Sequence, residues 1–144
     1  MSNQSYSNHT RFYPPFHFVL LPALLAGVIG SFVNLRHSLG DSQRLYSAPL
    51  IVLLTIGMVL VALFARGFAL RAQDRAIRAE ENLRHFALTG KLLDRKLTVR
   101  QTIGLRFASD AEFVALAQKA AASGLSEKEI KKAVTNWKAD HNRV

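Results

Sequence analysis

Residues 16–35 and 48–65 are two apolar stretches without a single Asp, Glu, Lys or Arg, separated by a short and mostly polar segment. About 20 helical residues cover a hydrocarbon core roughly 30 Å thick, and each stretch is close to that length. Inside a bilayer the backbone finds no water, so such a stretch has to satisfy its own N–H and C=O groups as a helix. The chain is therefore expected to be all-α: a two-helix transmembrane hairpin, a second helix extended into the cytoplasm, and a small helical bundle as tail. The expected segments are a polar and aromatic N-terminal tail (1–15), the hairpin (16–65), a helix extension (66–90) and a small basic helical domain (91–144).

Charge sets the expected orientation. Of the 19 Lys and Arg residues, all but Arg11, Arg36 and Arg44 lie from Arg66 onward. Basic residues near membrane ends stay cytoplasmic, so Arg66, Arg71, Arg75 and Arg78 are expected to hold the tail inside, next to anionic headgroups. Two spans then place the N-terminus in the cytoplasm too, and the loop 36–45 outside; Arg36 and Arg44 in that loop weigh against this arrangement. A cleaved signal peptide wants a basic start and a short apolar core. The first ten residues carry no Lys or Arg, and Pro14 and Pro15 interrupt the approach, so none is expected. Cysteine is absent, which rules out disulfides and thiolate metal sites.

Residues 1–10 are polar and are not expected to order by themselves. Phe12, Tyr13, Phe16 and Phe18, with His9, Arg11 and His17 beside them, suit a headgroup belt, where a flat apolar ring is buried and its polar edge stays wet. A cofactor pocket on His17 lacks a second ligand at suitable spacing. Within the first stretch Ala23, Gly27 and Ser31 form a row of small residues, with Ala26 and Gly30 as a second row. Such rows let a neighbouring helix approach closely where lipid provides no hydrophobic drive. The partner is either the second span or a foreign helix. Pro22 is expected to bend this helix modestly. The second stretch is bulky and branched apart from Thr55 and Gly57, and Pro49 suits a first helical turn. Ion pathways and proton relays usually show an ionisable residue at mid-membrane depth, and neither stretch offers one.

Helix formers continue past the second stretch to about Thr89, where Gly90 is placed as a terminator. Ala72, Ala76, Ala79, Leu83 and Phe86 recur at steps of four and three, a narrow coiled-coil seam for a partner. Arg71, Arg75 and Arg78 make a basic stripe on another face. Asp74 with Arg78, and Glu80 with Arg84, are acid-before-base pairs four apart. Three capping boxes follow: Thr98 with Gln101, Ser109 with Glu112, and Ser126 with Glu129. They predict helices over 99–106, 110–122 and 127–138, the second stopping at Ser123 and Gly124. Ile103, Phe107, Phe113, Leu116, Ala117, Ile130, Val134 and Trp137 are spaced to share one core.

Lys128, Lys131, Lys132 and Lys138 crowd the last predicted helix, in a helix-turn-helix-like arrangement that suits nucleic acid, anionic lipid or an acidic partner. For reading base edges it offers Asn136 alone. No H-E-x-x-H, phosphate-cradling glycine loop or nucleophilic cysteine occurs. His85, and Asp140 with His141, are isolated acid/base candidates, and Asp110 and Glu112 are explained as first-turn acids. No catalytic activity, cofactor, metal or small-molecule substrate is expected.

Gln73-Asp74-Arg75, Leu105-Arg106-Phe107-Ala108-Ser109-Asp110, and Asn136-Trp137 with Asp140-His141-Asn142-Arg143-Val144 together resemble an uncharacterised bacterial family of small two-span membrane proteins. The opening Tyr6-Ser7-Asn8-His9 with Arg11-Phe12 is similar to that family's opening as well. The resemblance implies the hairpin-plus-tail architecture and a bacterial inner membrane, and brings no activity or site residue. The leading expectation is an accessory or scaffolding subunit of a larger inner-membrane complex, respiratory or photosynthetic, with lipid and other membrane subunits as partners. The alternatives are a membrane-tethered module whose lysine-rich helix binds nucleic acid or anionic lipid, and a hairpin that self-associates through the seam from Ala72 to Phe86.

Overall fold

The computed structural model describes residues 5–6 and 13–139. His9, Arg11, Phe12, Asp140 and His141 lie outside the described residues. A π-helical turn, Pro15–Leu20, leads into α1 (Leu21–Ser38), which is followed by α2 (Ser47–Thr89), α3 (Val99–Leu105), α4 (Asp110–Ser123) and α5 (Glu127–Ala133). The chain forms two compact units, Phe12–Ala69 and Leu70–Val144, and Met1–Arg11 groups with the second.

In the first unit, α1 and α2 are long and apolar enough to cross a membrane. Pro22 acts before its own position. It has no N–H to give, and its ring would strike the carbonyl four residues back. The preceding turn widens instead: the Leu21 N–H bonds Phe16 O, five residues earlier. The expected bend is thus met by a π turn. Between the helices Asp41 closes the loop. Its carbonyl accepts from Leu45 N at 2.9 Å, and its carboxylate takes Gln43 N at 3.0 Å and pairs with Arg44 at 3.2 Å.

The second unit is built around the end of α2. Gly90 stops that helix in the left-handed region, φ 71°, with its N–H on Phe86 O at 2.8 Å. Ile77 and Glu81 of α2 are buried, as is a core of Leu93, Leu97, Leu105, Phe113, Leu116, Ala117, Ala120, Ile130 and Val134. Phe107 and Ile103 are buried too, and Trp137 is partly buried against the core, its ring centroid 4.8 Å from that of Phe107. Gln101 and Glu129 each cap back onto their N-cap residue: Thr98 N donates to Gln101 Oε1 at 2.8 Å, and Ser126 N to Glu129 Oε2 at 2.7 Å. At α4 the cap is one-sided. Ser109 N donates to Glu112 Oε1 at 3.3 Å, while the buried Ser109 hydroxyl has no hydrogen-bond partner among the described residues. Gly124 ends α4 at φ 64°.

α5 is shorter than its sequence pattern. It stops at Ala133 instead of 138, and Val134 is already extended, with φ −69° and ψ 121°. The cause is Glu112. Its carboxylate accepts from Thr135 N, the Thr135 hydroxyl and Asn136 N, drawing those amides away from α5. The freed segment pairs with the chain before α4: Lys138 N donates to Phe107 O at 2.8 Å, and Ser109 N to Asn136 O at 3.2 Å.

Candidate interaction faces

Within the hairpin, the α1 residues withdrawn from the surface are Leu21, Leu24, Val28, Ser31, Leu35 and Ser38. On α2 they are Ala48, Val52, Thr55, Val59, Ala62 and Arg66, with Gly57 and Gly67 beside them. Both sets advance by alternating threes and fours, the spacing of knobs-into-holes packing. Midway along, Ser31 and Thr55 share a hydrogen bond at 3.1 Å while each hydroxyl also reaches a carbonyl three residues back in its own helix. Sequence reasoning missed this pair; the available signal was that both hydroxyls occupy seam positions.

The small-residue rows fall elsewhere. Ala23, Ala26, Gly27 and Gly30 are exposed, and a Cβ added at Gly27 or Gly30 would meet nothing within 4 Å. At roughly 100° per residue their centre lies about a quarter-turn or more round α1 from the seam. Of the predicted packing residues, Ser31 is buried and meets Thr55 of the second span, whereas the other four are exposed. The reason is bulk: Leu and Val side chains fill the space between α1 and α2 and leave the glycines facing outward. At one end of the hairpin the Arg66 guanidinium lies 5.4 Å from the Phe16 ring centroid, and His17 Nδ1 is 2.9 Å from Tyr13 O.

In the second unit the predicted seam is exposed throughout, with Leu83 at 68% and Phe86 at 51%. Arg71 and Arg75 are exposed also, whereas Arg78 is half-buried at the rim of a cavity of about 400 Å³ that Asn82, Asp94, Arg95 and Thr102 share. The expected Glu80–Arg84 pair gives way to a different one. Arg84 turns inward, donating to Glu81 Oε2 at 3.1 Å, to Ala108 O at 2.8 Å and to Asp110 Oδ1 at 2.6 Å, and its guanidinium sits 4.3 Å from the Phe113 centroid. Side-chain exposure is 12% for Arg84 and 10% for Glu81. Burial raises the Glu81 pKa above the ordinary value, an effect the Arg84 hydrogen bond and charge only partly offset. Asp110 is lowered by its hydrogen bond to Arg84 and then by the Arg84 charge. For Glu112 burial acts to raise the pKa, but the hydrogen bonds from Thr135, Asn136 and Ser109 win and lower it.

His85 is held structurally. Its Nδ1 is 2.7 Å from Lys91 O, so that nitrogen carries a proton, and its ring meets Phe113 edge-on with centroids 6.0 Å apart. The four lysines do not share one helix face. Lys128 and Lys132 are exposed on α5, and Lys132 Nζ lies 5.8 Å from the Tyr6 centroid. Lys131 bonds Glu127 at 2.6 Å and lies over Phe107, while Lys138 and Asn136 belong to the extended segment after the helix. No recognition helix therefore carries Asn136 or Lys138.

Compared with known proteins, residues 1–144 match the model of a family of unknown function, DUF6526. No curated protein and no solved structure matches the chain.

Proposed function

The chain belongs to that family of unknown function, DUF6526, and from this premise we propose that it is an accessory or scaffolding subunit of a larger bacterial inner-membrane complex, of respiratory or photosynthetic type, without chemistry of its own. Both termini lie in the cytoplasm, and the loop between α1 and α2 faces outward. Arg66 and Arg71 lie against anionic headgroups, where each charge near the surface is worth about 1 kcal/mol.

The observation that supports this reading best is the open small-residue face of α1. Leu21, Leu24 and Val28 already satisfy packing against α2, yet Ala23, Ala26, Gly27 and Gly30 stay uncovered on another side. In lipid, close van der Waals approach at small residues is what draws helices together. A foreign helix seated there is the subunit contact, and the tail docks on the aqueous side.

Solubilisation of native membranes in mild detergent, followed by isolation and mass spectrometry, tests the reading. Co-isolation of other membrane proteins that is lost in Gly27→Leu and Gly30→Leu is the expected result. Recovery of this chain without any other polypeptide would overturn it.

A further inference from the structure

The exposed seam on α2 is on the far side of the helix from the tail's own core. At roughly 100° per residue, Ala72, Ala76, Ala79, Leu83 and Phe86 point about half a turn away from Ile77, Glu81 and Arg84. The first set is exposed; Ile77 and Glu81 are buried against the tail, and Arg84 reaches Asp110 and Ala108. The helices α3, α4 and α5 therefore leave the seam open.

We propose that two copies of this chain pair along that seam as a parallel, in-register coiled coil, with Arg75 of each copy facing Glu80 of the other. Three observations carry it. The steps 4, 3, 4 and 3 place the five residues at core positions of consecutive heptads, and three of them are alanines, which let two backbones come close. Leu83 and Phe86, exposed at 68% and 51%, are large apolar groups in a stretch where charged neighbours mark an aqueous surface, so lipid does not account for them.

The third observation is charge, and it selects the occupant. When Ala76 and Ala79 are core positions, Arg75 precedes the core and Glu80 follows it, five residues later. In a parallel pair those two flanking positions meet across the interface, one from each copy, so opposite charges face each other twice. Both side chains are exposed. Arg84, the cation four residues after Glu80, is engaged with Glu81 and Asp110 instead. The remaining flanking residues, Gln73, Asn82 and Ala87, add no like-charge conflict. An antiparallel pair would set like flanking positions against each other and lose the match. A second copy is the occupant because the match is self-complementary.

Parallel orientation rests on the reading of α2 as membrane-inserted, since copies with one topology then present the seam in the same direction. Confinement to a membrane also raises the effective concentration for so short a coil.

The chain has no cysteine, so single cysteines report proximity without background. Full-length Ala76→Cys, Ala79→Cys and Leu83→Cys, oxidised in native membranes, are expected to give a disulfide-linked species of twice the chain mass. Its yield should be several-fold above that of Asp74→Cys on the opposite side. In the Ala79→Cys background, Arg75→Glu and Glu80→Arg should each lower the yield, and the double exchange should restore it. Equal yields at all positions, no linked dimer, or an adduct to a different polypeptide each overturn the proposal. So does failure of the charge exchange to restore the yield. An adduct to another polypeptide leaves the subunit reading standing. Alkaline carbonate extraction separates the two readings: release into the soluble fraction sinks membrane insertion, whatever the cross-linking shows.

Discussion

Replacing Arg84 by Met should remove roughly half of the stability of the tail. The guanidinium holds one buried carboxylate, Glu81, and one carbonyl, Ala108 O, and covers the Phe113 ring. Its contact with Asp110 contributes little, because that carboxylate is 66% exposed and screened by water. Removing one partner of a buried ion pair typically costs about 3–5 kcal/mol, because the other charge is left without compensation. Met fills much of the aliphatic volume, and Glu81 can escape part of the penalty by taking a proton, so about 3 kcal/mol is the expected loss. Residues 70–144 as a domain should hold roughly 4–11 kcal/mol in all, at about 0.05–0.15 kcal/mol per residue.

Trp137 is the single tryptophan and packs on Phe107, so its emission follows unfolding of the tail in the full-length protein in detergent. Urea titration then gives the difference between Arg84→Met and the parent. The pH dependence has a definite sign. Burial holds the Glu81 pKa above its unfolded value, so its penalty is absent at low pH and grows as pH rises through the folded pKa. Loss of Arg84 raises that pKa further, and the deficit of the variant should shrink as pH falls from neutral to about 5. Adding Glu81→Leu to Arg84→Met removes a buried carboxylate left with only the weaker attraction of Lys138 and Arg106, and should recover about 2 kcal/mol. The reasoning fails if Arg84→Met costs less than about 1 kcal/mol at neutral pH, or if the double variant is no more stable than the single one.

Three further outcomes are expected. Gly104→Ala places a Cβ 3.1 Å from both Glu127 O and Ile130 Cγ2, and overpacking of about 1–3 kcal/mol should outweigh a helix-propensity gain of about 1 kcal/mol, lowering the urea midpoint. Glu112→Gln weakens the clip on Thr135 and Asn136 and should cost about 1.5–3 kcal/mol, as for hydrogen bonds to a charged group. Because the Glu112 pKa is lowered in the folded state, its contribution is present above the ordinary Glu range and lost as pH falls through the folded value. The variant should therefore show a flatter acid limb by Trp137 emission. Ser31→Ala, which removes the hydroxyl shared with Thr55, should cost the hairpin only about 0.6 kcal/mol in SDS-induced unfolding; a loss above about 2 kcal/mol would mean that the pair does more than bridge two helices.

Much of this fold is legible along the chain because its signals are local. Gly90 and Gly124 stop α2 and α4 at positive φ, and the capping residues Thr98, Ser109 and Ser126 each precede a helix. The predicted core residues are buried, Trp137 in part, since spacing of three and four reports which side chains share a face. Leu93 and Leu97 are not legible in this way because they lie between helices, where no period marks them. Local spacing matches Arg84 with Glu80, four residues away, whereas its partners include Asp110, twenty-six residues away. The premature end of α5 has the same kind of cause: Glu112 reaches across to Thr135, and nothing in the local pattern of 127–138 announces that competition.

By itself, the order of residues determined where the helices of the tail start, where α2 and α4 stop and which stretches suit lipid, because caps, glycines and hydropathy act on neighbours within a turn or two. Tertiary structure alone decided which face each helix spends on its own partner. In α1 bulky Leu and Val claim α2 and turn the glycines outward; in α2 the tail claims Ile77 and Glu81 and leaves Ala72 to Phe86 exposed. Periodicity says that residues lie on one side of a helix, while the choice among sides depends on volumes and charges brought in from distant parts of the chain.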